Sequence, residues 1–133
     1  MNKILWLGTP ESRIISIRKF RQYISTLSIN EAVELTKKEW KASPSIKKEQ
    51  FNIENIEEWP NPWNLFGLPY HCNNSQTIGM LYSLIMSEHG KNHTINLAIF
   101  YDVVIGQYSK ILIDDTHEKV ITMDQIKKQM EKK

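Results

Sequence analysis

The sequence predicts an α+β fold in which a central helix packs on a small antiparallel sheet, a β-hairpin plus a third strand, with two N-terminal helices and a Pro/Trp-rich strap around them. Three observations predict it. Ile78, Leu81, Tyr82 and Ile85 recur at helical spacing, Ile95, Leu97, Ile99, Tyr101 and Val103 share one strand parity, and Thr9-Pro10 and Ser28-Ile29-Asn30-Glu31 are helix-start signals. At 133 residues, with 41% hydrophobic and 24% charged, the chain has the size and balance of one soluble domain over 1–133. Only 5 Gly and 5 Pro exclude a low-complexity chain.

The N-terminal segment, 1–42, reads as helical. Thr9 is an N-cap, Pro10 fits the first helical position and Glu11 the first turn, and Ile14, Ile17, Phe20, Ile24 and Leu27 predict a helix over 10–27. The Ser28/Glu31 capping box predicts a second helix over 29–42, with Ala32, Val33, Leu35 and Trp40 on its apolar side, stopped by Ser43-Pro44. Residues 43–72 lack periodicity and hold four of the five prolines. Trp59, Trp63, Leu65, Phe66, Leu68 and Tyr70 carry too much apolar surface to leave in water, so the segment is expected to lie across the core, with both Trp59 and Trp63 as buried or interface anchors.

A unit over 73–122 supplies helix and sheet. The central helix is predicted over 73–89, with Gly90 as a terminator tolerant of a left-handed conformation. The run from His93 to Val104, a Gly106-Gln107 turn and Tyr108 to Ile113 predict the hairpin, and Lys119 to Ile121 a third short strand. Thr122 with Gln125 caps a last helix over 123–133.

Composition excludes several functions. No apolar run approaches the length of a bilayer span and the N-terminus is too short for a signal-peptide core, which predicts a location in a cytoplasm or inside an assembly and no membrane partner. The lone Cys72 fits a reducing compartment. Neither Gly-x-x-x-x-Gly-Lys nor Gly-x-Gly-x-x-Gly occurs, so no nucleotide cofactor is expected. His71, Cys72, His89 and His93 could suggest a metal, but Gly90 is expected to end the helix between the last two, and no metal is expected. The formal charge of +2 conceals a +5 N-terminal half, 1–50, and a −3 remainder. That basic half admits a nucleic-acid partner through Arg18 and Arg21, although solvated helix faces explain the same charges.

The sharpest chemical constellation is Cys72 opening the central helix, His93 at the next strand and Asp114 or Asp115 at the end of the strand after it. A helix N-terminus favours a thiolate, an imidazole can hold its proton, and a carboxylate fixes the imidazole tautomer. In this order of elements, and in Ile113-Asp114-Asp115-Thr116 against a strand-end Asp-Pro-Thr, the chain resembles the transglutaminase-like and papain-like superfamily. That resemblance implies Cys72 as nucleophile, His93 as base and Asp114 as orienting group of an amide hydrolase or acyl transferase. Two departures weigh against it: only Gly90, Lys91 and Asn92 separate helix from His93, and neither Asn73 nor Thr94 is aromatic.

A second resemblance covers about 37–115. Trp40-x-x-x-Pro44, Trp59-Pro-Asn-Pro-Trp63-Asn-Leu65, Tyr70-His-Cys72 and Ile78-Gly-Met-Leu-Tyr-Ser-Leu84 are similar, in this order, to segments of a group of small tailed-phage proteins. This resemblance implies a viral setting, a virion or host-cytoplasm location, and other phage proteins as partners. The leading expectation is a non-catalytic virion or assembly component that binds through its strap, Trp59, Pro60, Pro62 and Trp63, or through a strand edge. The cysteine enzyme is the alternative, and a nucleic-acid-binding or host-takeover accessory protein is the third reading.

Overall fold

The computed structural model describes residues 3–132. Among these it is α+β, with α1 Pro10–Ile24, α2 Ile29–Lys41, a 3-10 turn Ile56–Glu58, α3 Pro62–Gly67, α4 Asn73–Met86, α5 His89–Asn92, β1 Ile95–Asp102, β2 Gly106–Ile113, β3 Val120–Ile121 and α6 Met123–Met130. The sheet is antiparallel in the order β2-β1-β3, so the hairpin's first strand is central.

The start signals act as expected. Thr9 and Ser28 accept the N–H groups of Ser12 and Glu31, and Thr122 and Gln125 complete a second capping box. Cys72 caps α4 with its sulfur. The central helix is shorter than its predicted range: it ends at Met86, where Ser87 donates to the Leu84 carbonyl, and α5 folds back on it. Gly90 therefore works by size rather than by a left-handed φ, since a Cβ there would lie 1.8 Å from the Ile85 carbonyl oxygen.

Helix α4 is the core. Ile78, Leu81, Tyr82 and Leu84 are fully buried, with α1, α2 and α3 on it together with β1, whose Ile95 and Leu97 point inward beside Ile111, Ile113 and Ile121. The Trp40 indole lies on Gly79 and donates to the Ser83 hydroxyl at 2.9 Å. Its ring meets Trp6 and His71 edge-on, at centroid distances of 4.8 and 5.2 Å.

The strap is pinned and partly helical. Trp59 is buried and donates to the Ile53 carbonyl, its own carbonyl accepts from Gln129, and the Pro60 carbonyl accepts from Tyr82. Asn61 caps α3, Pro62 occupies its first turn, and Leu65 and Phe66 face the core. Trp63, three residues before Phe66 and with its ring 6.5 Å from that of Phe66, stands at the rim of this turn and is 52% exposed, so of the two tryptophans expected as buried or interface anchors only Trp59 is buried.

The hairpin turn also differs from its predicted position. Both Val104 and Ile105 donate their N–H groups to Asp102 Oδ1, at 2.7 and 3.0 Å, and Gly106 takes φ +82°. The loop is consequently Val103-Val104-Ile105, three residues earlier than a Gly106-Gln107 turn, because the aspartate turn closes first.

Candidate functional site

The end of β2 is brought to the start of β1 by the register Ile95↔Ile113. Asp114 therefore lands beside His93 and Thr94. Its N–H donates to the Thr94 carbonyl at 2.7 Å, its Oδ1 accepts from the Thr94 N–H at 2.8 Å, and its Oδ2 pairs with His93 Nδ1 at 2.6 Å. The residue sits at φ +55°, a left-handed conformation that aspartate tolerates better than most side chains. The His93 bond first, and the Thr94 N–H next, hold the Asp114 carboxyl below the usual carboxylate range. Thr94, Asn96, Asp114, Asp115 and Thr116 border an open recess of about 410 Å³ beside this pair.

Cys72 is not part of it. The thiol is buried at the opposite end of α4, where its sulfur accepts from the N–H groups of Ser75 and Gln50, each at 3.4 Å. Fourteen helical residues, about 20 Å at 1.5 Å per residue, separate that cap from the α5 end that carries His93. The Cys72–His93–Asp114 triad is thus split: the imidazole and carboxylate meet, and the sulfur is used as a helix cap.

The metal reading divides in the same way. His71 and Cys72 stand at one end of α4 and His89 and His93 at the other, and among the described residues no group of three or more His, Cys, Asp or Glu is placed to hold a metal ion. His71 is fully buried against Trp6 and Trp40, with Nδ1 2.6 Å from the Ser75 hydroxyl. Burial first, and the Arg13 charge next, lower its pKa to about 4, so it is neutral at physiological pH.

The predicted basic face is also thinner than its sequence. Arg18 is exposed, but Arg21 is buried with its guanidinium over the Phe66 ring, 5.6 Å from the centroid. Burial, and then the neighbouring Arg18 charge, lower the Arg21 pKa. Arg13 is buried too. It donates to the Gly67 carbonyl through Nε and Nη2 and to the Gly8 carbonyl through Nη1, which ties α1 to the C-terminal end of α3. Arg13 thus braces backbone and Arg21 packs on an aromatic ring, which leaves Arg18 as the exposed member of the expected pair.

Among the described residues the hairpin tip is the consecutive run of large apolar side chains left most exposed. Burial along β1 stops at Ile99, and the pair of strands extends beyond the core for about three residues, roughly 10 Å at 3.3 Å per residue, with His117 against Phe100 and Lys119 and Glu54 against Tyr101. Phe100 and Tyr108 stack across the strands at 5.1 Å and keep this extension rigid. Beyond them Val103, Val104 and Ile105 are 103%, 86% and 69% exposed, and a Cβ on Gly106 would meet nothing within 4 Å. Edge strand β2 is exposed along its first three residues beside this tip. The sequence contained the signal, an aliphatic Val-Val-Ile run before a glycine, but strand parity assigned Val103 to the sheet.

No helix among the described residues is long and apolar enough to cross a membrane. No protein-family model, no curated protein and no solved structure matches the chain.

Proposed function

We propose that the chain is a non-catalytic assembly component of a tailed phage that joins neighbouring phage proteins through the tip of its β1–β2 hairpin. One observation carries the reading: three consecutive aliphatic side chains stand in water on a turn fixed by Asp102. Such an exposed apolar cluster is characteristic of a binding surface. A rigid presentation also lowers the ordering cost of association. The phage setting is supported by the Trp59-Pro-Asn-Pro-Trp63 and Gly79-Met-Leu-Tyr82 pattern described above. The strap contributes less than the sequence suggests, because Trp59 and Pro62 are buried and its exposed aromatic surface is divided between Trp63 and Tyr70.

The buried Cys72 makes the test direct, since Val104→Cys introduces a single accessible thiol. In the isolated protein this thiol should react rapidly with a maleimide, and in purified phage particles carrying the same variant it should be protected. Equal labelling in both, or absence of the chain from the particles, would remove the reading.

A further inference from the structure

We infer that the chain associates with further copies of itself head to tail, the hairpin tip of one copy seated in an apolar groove beside α1 of the next. This rests on the reading of the tip as a protein-binding surface and names its partner.

The groove is built by the N-terminal segment. The Leu5 N–H donates to the Ser16 hydroxyl at 2.7 Å, which lays this segment along α1 and encloses a cavity of about 470 Å³. Leu5, Ile15, Phe20 and Tyr23 supply its apolar walls, and Lys3 and Lys19 border it. A concave, mainly apolar site of this volume is of the size that takes a compact apolar group. Leu5 and Ile15 are themselves exposed, so the walls as well as the tip are unpartnered.

Three properties select a second copy as the occupant. The first is shape, since the tip is a convex run of three aliphatic residues and the groove a concave apolar site, and among the described residues neither is filled. The second is charge. Asp102 stands at the base of the tip and Glu54 and Glu118 border the adjoining recess, whereas Lys3 and Lys19 border the groove. Lys110 over the Phe100 ring and Lys119 over the Tyr101 ring are near the hairpin as well, but the three carboxylates Asp102, Glu54 and Glu118 outnumber these two lysines. The same polarity runs through the chain, +5 over 1–50 and −3 over the rest, which favours the N-terminal half of one copy facing the C-terminal half of another. The third is placement. Helix α1 packs on α2, α3 and α4, whereas β1 packs on α4, α6 and its sister strands, so α4 stands between groove and tip. A copy whose tip is docked keeps its groove open, and the contact propagates into a ring or a filament.

The test uses two variants of exposed residues, Val104→Lys on the tip and Ile15→Glu in the groove, each checked for native far-UV circular dichroism. Sedimentation velocity from about 10 μM to about 1 mM spans the range of weak protein contacts. Wild type should at least double its weight-average mass across it, while each variant alone stays monomeric. Mixed one to one, the variants should form a species of twice the monomer mass and no larger, because one tip and one groove remain usable. A mixture that stays monomeric while the tip variant alone disrupts assembly would indicate tip-to-tip pairing and overturn the inference. So would a wild type that remains monomeric throughout, or one that sediments with anionic phospholipid vesicles in a Val104-dependent way. A monomeric wild type whose Val104→Cys thiol is protected in particles would remove self-association and leave the assembly reading standing.

Discussion

Replacing Gly79 by alanine should destabilise the protein, although the same change in an exposed helix interior gains about 1 kcal/mol of helix propensity. The added Cβ would lie 2.3 Å from Cζ3 and 2.4 Å from Cη2 of Trp40, where carbon atoms prefer about 3.5–4.0 Å. Trp40 cannot retreat: it is fully buried, flanked by Trp6 and His71, and held through Nε1 by Ser83. Overpacking of this kind costs about 1–3 kcal/mol or more, and a loosened indole bond to Ser83 adds about 1 kcal/mol. After the propensity gain the expected net loss is about 1–3 kcal/mol or more, a large share of a typical stability of about 5–15 kcal/mol. Urea unfolding followed by tryptophan fluorescence should show a lower midpoint at unchanged slope. In a Trp40→Leu background the obstacle is gone, and Gly79→Ala should become neutral or stabilising. An equal loss in both backgrounds, or a raised midpoint in the wild type, would refute the close-approach argument.

Three further outcomes follow from the same geometry. His71 titrates near 4 in the folded chain against about 6.5 when unfolded, so the unfolded state takes up the proton first as pH falls. Stability from this group is complete above about pH 6.5 and lost towards pH 4, about 3 kcal/mol in all, and His71→Gln should flatten that part of the unfolding profile. Trp59→Ala should cost about 3–5 kcal/mol and Trp63→Ala about 1 kcal/mol or less in thermal melts, because only the first is buried. Cys72 should resist iodoacetamide until the protein unfolds, and Cys72→Ala should lose about 1 kcal/mol through the missing α4 cap while Cys72→Ser retains it. Rapid native-state alkylation, dependent on His93, would contradict the buried-cap geometry.

The elements were legible where a local cause determines them. Ser28 with Glu31, Thr122 with Gln125, and Thr9 with Pro10 act within one turn, so the starts of α1, α2 and α6 could be read directly. Ends and turns were less legible because they depend on competing partners. The helix over 73–89 stops at Met86 as Ser87 bonds backward, and Asp102 closes the hairpin before the glycine can. The candidate site divides along the same line. His93 and Asp114 meet because strand register is fixed by the apolar faces of β1 and β2. Cys72 stays apart because the length of α4, invisible to a motif defined by residue order, intervenes. Arg21 looked like its exposed neighbour Arg18 in sequence, and only the three-dimensional position of Phe66 distinguishes them.

Folding itself places no demand for aliphatic residues at the hairpin tip. The turn is closed by the Asp102 carboxylate and Gly106, and the register is already set by Phe100 and Tyr108 below it, so polar residues at 103–105 would satisfy the backbone equally well. Elsewhere large apolar residues such as Trp40 and Phe66 are enclosed while Leu7, Trp63 and Tyr70 are exposed singly; Cys72 and Arg13 are drawn inward to cap or brace backbone, and His71 and Arg21 are buried against aromatic rings. An edge strand beside an apolar turn is a hazard that proteins ordinarily blunt with charge or proline. Here Gln107 and Tyr108 follow the glycine, and the nearest lysine on β2, Lys110, turns its ammonium over Phe100. The tip therefore retains an unfavourable exposure that neither the turn nor the sheet requires, and removal of that surface from water by another protein chain is the physical circumstance that makes it favourable.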